Sequence, residues 1–247
     1  MKLSFEVDQG PGEKAALGLI VLKADETIES EFRPVFDLDG VSLFHTRIES
    51  APEVTPETLM KMKEKLTEAA ALLPANRPLD AVAYACTSGA TVIGPEAVAA
   101  AVRKVHAGAK VTNPASAVMA ALKHVNVARV GVVSPYVETV SDALCTLLKD
   151  NGFDPVIVGS FGQAEEAVVA RIAPKSVEDA ICAVGNDPKV EAVFASCTNL
   201  RTFSVIEACE KRLGKPVISS NLALAWHMMA LAGLPAQGAG PGRLFRS

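Results

Sequence analysis

Read for its apolar and polar positions, the chain alternates short, nearly continuous apolar runs with longer stretches of helical spacing. The runs ALGLIVL (16–22), LDAVAYA (79–85), ARVGVVS (128–134), PVIVGSF (155–161), VEAVFAS (190–196) and KPVISS (215–220) are bounded by polar or turn residues. That is the pattern of strands buried on both faces of a parallel sheet. Between them, helical spacing predicts helices over 56–73, 94–108, 115–125, 137–152, 176–185, 202–214 and 222–233, several closing on Gly. Strand and helix in alternation predict an α/β fold with parallel sheets. QGPGEK (9–14) and LPAQGAGPGRLFRS (234–247) read as loops or tails.

The pattern also repeats. DAVAYACTSGATVIGPEAVAAAVRK and EAVFASCTNLRTFSVIEACEKR both run strand, Cys-Thr, a polar residue, helix, with Cys86 and Cys197 at 197 − 86 = 111 residues apart. Upstream, GLIVLKADETIE (18–29) matches GVVSPYVETVS (131–141) at an offset of 112 to 113. Two matches at nearly one offset predict two related halves. A second half over 113–217 would be inserted in a first half made of 1–112 and the returning segment 218–247. The expected architecture is two pseudo-symmetric α/β domains, each with a short parallel sheet flanked by helices, and a site between them.

Composition narrows the setting. The chain has 247 residues, 49% hydrophobic and 21% charged, with a formal net charge of −4. Nothing there favours nucleic acid or an anionic membrane as a partner. MKLSFEVDQGPGEK lacks the apolar stretch of a signal peptide, and no later run offers the ~18 apolar residues a span needs. Five cysteines without CxxC spacing and four scattered histidines form neither a zinc pattern nor a disulfide framework. A cytoplasmic location with free thiols is the expectation.

In open parallel sheets, ligands bind beyond the carboxyl ends of the strands. Cys86 and Cys197 fall at such ends, each expected just ahead of a helix whose N-terminal N–H groups would favour thiolate. Thr87, Ser88, Thr198 and Asn199 add donors for a carboxylate or a developing enolate. Two thiols facing one carbon can remove a proton from one side and return one from the other. Addition of a thiolate to an activated double bond is equally open. Cysteine is also among the most buried residue types, and Cys145, Cys182 and Cys209, mid-helix, read as small hydrophobes.

The segments GLIVLKADETIESEF, YACTSG, VSPYVETV and ASCTNLRT run in order over nearly the whole chain. In them the sequence resembles the aspartate/glutamate racemase superfamily, on the branch of maleate cis–trans isomerase and arylmalonate decarboxylase. The resemblance implies two pseudo-symmetric α/β domains, a cofactor-free active site between them and a homo-oligomer. It implies that Cys86 and Cys197 are the catalytic pair, of which arylmalonate decarboxylases keep only the second. Tyr136 matches the tyrosine that maleate isomerases place over the substrate. Where those isomerases have Asn, this chain has Asp25 in LKADET and Glu166 in GQAEEAVVAR. An ionised Asp there would repel a carboxylate and attract a cation. VLKADETIE is similar to ectoine-utilisation proteins of the superfamily, which implies ectoine catabolism and a substrate bearing an amino or amidinium group.

The residues themselves leave blander roles. Asp25 is equally read as a loop acid or the N-cap of a helix at ETIESEF. Tyr136 could be a loop aromatic packing between the halves. Glu166 reads as a solvated helix residue, Asn113 and Asn221 as helix caps, the basic residues of EACEKRLGK as a solvated face, and Trp226-His227-Met228-Met229 as core or subunit interface. The expectation is a cofactor-independent racemase or cis–trans isomerase of a small carboxylate. A one-cysteine lyase and a non-catalytic ligand-binding protein stand as alternatives.

Overall fold

The structure, a computed structural model, describes residues 1–246. It holds two sheets of four strands, every pairing parallel. The first is built from β1 (Ala15–Leu22), β2 (Val41–Ile48), β3 (Ala81–Ala85) and β4 (Lys110–Thr112) in the order β2-β1-β3-β4. The second repeats that order as β6-β5-β7-β8 with β5 (Arg129–Tyr136), β6 (Asp154–Gln163), β7 (Ala192–Ala195) and β8 (Val217–Ser219). The α/β class and the paired parallel sheets agree with the sequence pattern.

Register carries the repeat down to single residues. Gly18 pairs with Val82 in the first sheet, and Gly131 with Val193 in the second. Both glycines are required by close packing. A Cβ on Gly18 would lie 2.7 Å from Leu73 Cδ1, and one on Gly131 2.4 Å from Val184 Cγ1. Leu73 and Leu79 above Gly18 recur 111 positions later as Val184 and Val190 above Gly131. The central strands β1, β3 and β7 are wholly buried, which is why they read as continuous apolar runs.

Helices flank both sheets: α1 (Ile28–Val35), α2 (Pro56–Ala71), α3 (Thr87–Ile93), α4 (Pro95–Arg103), α5 (Pro114–His124), α6 (Glu138–Asp150), α7 (Glu166–Val169), α8 (Pro174–Gly185), α9 (Phe203–Leu213) and α10 (Ser220–Ala232). Local chemistry sets their ends. Thr55 and Thr58 form a capping box at α2, whose stripe Leu59, Met62, Leu66, Ala69, Ala70 is buried. Asn113 caps α5 through Ser116 N, as expected. Gly214 and Gly233 close α9 and α10 in the left-handed region. Crossing from the first sheet to the second, the chain runs through α5, and α10 returns from β8 to pack on α5, β3 and β4.

Four expectations need correction. β2 was not foreseen, because as an edge strand it is mostly half-exposed and its polar residues break the apolar run. The C-terminal segment is not a loose tail: Leu244 and Phe245 are buried in a 3-10 turn (Arg243–Phe245), and Glu210 accepts from Arg243 N and Val217 N. Lys215 is not merely solvated, since its Nζ donates to the carbonyls of Gly185 and Asp187 behind α8. Asn221 caps nothing. Ser219 holds the cap of α10, while Asn221 Nδ2 donates to Glu31 Oε2 and Thr198 O. Trp226 is half-buried and stacks near His124 and His227, and Met228 and Met229 are core.

The halves are braced by buried polar contacts. Glu31 of α1 accepts at Oε1 from Thr202 N (2.6 Å) and Phe203 N (2.8 Å), so a carboxylate of the first half caps the N-terminus of α9. Thr27 Oγ1 donates to Asn199 O, and Asn199 Oδ1 accepts from Glu26 N. Backbone bonds from Val54 N to Ala164 O and from Glu166 N to Pro52 O tie the loop after β2 to the loop after β6.

Candidate active site

Every strand in both sheets is parallel, so their carboxyl ends converge on the seam between the halves. There Asp25, Cys86, Thr87, Ser88, Tyr136, Glu166, Cys197 and Thr198, with Leu22, line one small closed cavity of about 10 Å³. All are buried. Seven of the eight residues singled out from sequence therefore meet in one place, with Glu166 added. Among the described residues, no cluster of three or more His, Cys, Asp or Glu is arranged to hold a metal.

The two thiols are presented differently. Cys86 follows β3 in extended conformation and N-caps α3, its Sγ accepting from Gly89 N at 3.2 Å. Gly89 must lack a side chain, since a Cβ would lie 2.4 Å from the Tyr84 hydroxyl and 3.0 Å from Cys86 Sγ. Cys197 follows β7 with φ of 133°, a conformation that costs a non-glycine residue roughly 1–3 kcal/mol and concentrates at functional sites. It is fixed by Cys197 N donating to Ser220 Oγ (2.9 Å) and by Asn199 N donating to Cys197 Sγ (3.3 Å). The expected helix does not follow it directly: α9 begins at Phe203, and a turn supplies the N–H instead.

Burial also reverses the expected thiolate bias. Desolvation, then the neighbouring Glu166 carboxylate, pushes the Cys86 thiol up to about 12 and the Cys197 thiol well above its ordinary value. The N–H bonds to each sulfur oppose this and are outweighed.

The hydroxyls form a cross-half network. Thr87 Oγ1 lies 2.7 Å from Ser220 Oγ, which accepts from Cys197 N, and Thr198 Oγ1 donates to Ala85 O. Tyr136 is no loop aromatic. Its hydroxyl donates to Glu166 Oε1 at 2.8 Å and lies 3.0 Å from Cys197 Sγ. Glu166 is accordingly not a solvated helix residue: it is buried at the start of α7, and Asn199 Nδ2 donates to its Oε2 at 2.9 Å. Asn199 itself is engaged by Glu26 N and Glu166 and is not among the residues that line the cavity. From there its Nδ2 braces the Glu166 carboxylate.

Asp25 stands two residues ahead of Thr27, the N-cap of α1. Oδ1 accepts from Thr27 N (2.8 Å) and Ile28 N (2.9 Å), fixing the entry of α1, while Oδ2 is buried beyond full hydrogen-bond distance of any donor, with the Thr198 hydroxyl its nearby polar side chain. Desolvation raises the pKa of Asp25 and of Glu166. The sequence offered two signs of Glu166: its match to an Asn of the isomerases, and the strand-end rule, which applied to 155–161 places the residues just after that run beside the cysteines. Outside the cavity lies a wider groove of about 810 Å³, edged by Lys23, Lys61, Lys65 and Met62, which meets it at Glu166.

A seam-bound cavity with thiols from equivalent strand ends of two parallel α/β halves defines a class: duplicated scaffolds that work between their lobes. The arylmalonate decarboxylase family model matches residues 17–245, and the chain belongs to that family, on the branch the two Cys-Thr segments resemble. It is 31% identical over 140 residues to the arylmalonate decarboxylase of Bordetella bronchiseptica, covering 56% of this chain and 58% of that one. Over 239 residues it is 26% identical to the maleate isomerase of Nocardia farcinica, 93% of this chain and 95% of that one. The structure of the Nocardia farcinica maleate cis–trans isomerase bound to TRIS superposes with a TM-score of 0.85 at 25% identity, over 94% and 98% of the two chains.

Proposed function

We propose that this protein is a cofactor-independent isomerase that racemises or cis–trans isomerises a small carboxylate between Cys86 and Cys197. The observation that carries the reading is the meeting of both thiols, from repeat-equivalent strand ends, in one closed cavity. For a saturated substrate, one thiolate removes the proton beside the carboxylate and the other thiol delivers a proton to the opposite face. The C–H bond broken on one side is remade on the other, inverting the centre. For an unsaturated substrate, a thiolate adds to one alkene carbon, the new single bond rotates, and expulsion of the thiolate restores the alkene. Neither route needs a cofactor, because the thiols supply both the base and the acid. The relatives named for maleate isomerisation support this class of reaction.

Thr87, Ser88 and Thr198 supply the polar wall against which the substrate carboxylate sits. Asp25 sets substrate choice. Its carboxyl lines a cavity with no Lys, Arg or His among its lining residues, so the fitting substrate also carries an ammonium or amidinium group. Diaminobutyrate derivatives from opening of the cyclic amidine ectoine have that chemistry, and a reducing cytoplasm would keep both thiols free.

The test is a chiral and cis–trans assay over diaminobutyrate, its acetylated forms, aspartate, glutamate and maleate. Inversion or isomerisation of one of them, lost in both Cys86→Ala and Cys197→Ala, supports the reading. Carbon dioxide release retained in Cys86→Ala would instead support a one-cysteine decarboxylase, the activity for which the family is named.

A further inference from the structure

The thiols that this chemistry requires as thiolates sit where a thiolate is hard to form. Both are buried, and the carboxylates of Asp25 and Glu166 share their cavity without a basic side chain in its lining. Cys197 has an outlet for its proton. The Tyr136 hydroxyl lies 3.0 Å from Cys197 Sγ and donates to Glu166 Oε1 at 2.8 Å. A phenol has one hydrogen, and here the carboxylate takes it. The contact with sulfur is then an S–H···O bond in which the thiol donates. Glu166 Oε2 accepts from Asn199 Nδ2, whose amide is oriented by Glu26 N on its oxygen. Both oxygens of Glu166 are thus acceptors, as an ionised carboxylate requires.

We infer that Glu166 is the proton acceptor that arms Cys197 through Tyr136. The thiol proton passes to the phenol oxygen as the phenol proton passes to Glu166 Oε1. The S–H bond and the old phenol O–H bond break, a new phenol O–H and a carboxylic O–H form, and the S–H electron pair stays on sulfur. One negative charge moves from Glu166 to Cys197, so the net charge of the cavity is unchanged. A proton lost to solvent would instead add a charge to a site of low dielectric. Cys86 has no such line. Its phenol neighbour, Tyr84, donates to Met62 Sδ and leads to no carboxylate. In the resting protein Cys197 is therefore the base and Cys86 the acid. The inference rests on the proposed reading of Cys197 as a reacting thiol. Glu166 acts through Tyr136 and is a positioning residue.

Electrostatics alone predict the opposite sign, which makes the test sharp. Removing the Glu166 charge should ease ionisation of Cys197 and speed its alkylation. The relay predicts that alkylation slows. The probe is iodoacetamide, with Cys197 and Cys86 quantified separately by peptide mass spectrometry between about pH 5 and 9. In the unaltered protein the Cys197 rate should plateau through neutral pH and drop only where Glu166 becomes protonated. In Glu166→Gln the plateau should give way to a rate that climbs steadily with pH. The Cys197-to-Cys86 ratio near neutrality should fall at least about tenfold, with part of it restored in Glu166→Asp. Tyr136→Phe should produce the same loss. A ratio unchanged or raised in Glu166→Gln overturns the relay. If that variant unfolds and both thiols react as free ones, Tyr136→Phe decides by the same criterion. Alkylation needs no substrate, so a relay signature without turnover would refute only the proposed reaction. Turnover without the signature would refute only the relay.

Discussion

Cys86 and Cys197 hold the same place in a repeat whose central strand pairs keep their register, yet the two halves treat them differently. The first half ends its strand in relaxed extended backbone and points the sulfur at the N-terminus of a seven-residue helix. The second ends its strand in a left-handed conformation and sets the sulfur against a phenol and a carboxylate. What the duplication preserved is scaffold: strand order, glycine positions and the convergence of strand ends on one seam. What diverged is the surroundings of each sulfur. Two like groups in unlike environments are how one site obtains an acid and a base.

The largest expected effect tests whether both ends are needed. Cys86→Ala and Cys197→Ala should each lower kcat by roughly 10²–10⁴-fold or more, and the double variant should be little worse than either, because the thiols act as one unit. Asp25→Asn comes next. Asn keeps an oxygen for Thr27 N and Ile28 N, so the fold should hold. KM for an ammonium-bearing substrate should rise about 10–100-fold, from loss of a charged hydrogen bond worth about 1.5–3 kcal/mol. Paired alanines at the repeat glycines probe the scaffold. Gly131→Ala and Gly18→Ala should each cost about 1–3 kcal/mol in denaturant unfolding, the former more, since its Cβ meets Val184 at 2.4 Å against 2.7 Å for Leu73.

The smallest effect is on pH. Asp25, Glu31 and Glu166 all hold their protons more tightly folded than unfolded, chiefly through burial. Above their ordinary values of 3.8 and 4.5 the native state therefore binds more protons than the unfolded one, and stability falls as pH rises. His45 and His227, with pKa values lowered by desolvation, pull the other way near 6.5, so the check is a difference. In Glu31→Gln the thermal midpoint should fall less between about pH 5.5 and 8 than in the unaltered protein, and an equal fall would contradict the assignment to Glu31.

Much of this was legible in the chain. Strands buried on both faces announced themselves as apolar runs, and the echo between the Cys-Thr segments exposed the duplication. β2 was not legible, since an edge strand that faces water lacks the signal of a core strand. Glu166 was misread for a related reason. A glutamate in a charged pair at a helix start is solvated unless tertiary packing covers it, and here the loop after β2 does so from 100 residues away or more, through Pro52 O. The thiol environments were misjudged because helix termini are local and burial is not. Sequence displays the N–H groups that favour a thiolate; it does not display the desolvation that outweighs them.

The most direct test is α-proton exchange followed by NMR in heavy water. The protein is incubated with diaminobutyrate and its acetylated forms, aspartate and glutamate, beside Cys86→Ala and Cys197→Ala. Two-thiol chemistry predicts that one substrate loses its α-proton signal with the unaltered protein and that both substitutions suppress inversion. Exchange and inversion that survive in Cys86→Ala at the unaltered rate would contradict it, leaving Cys197 to act alone.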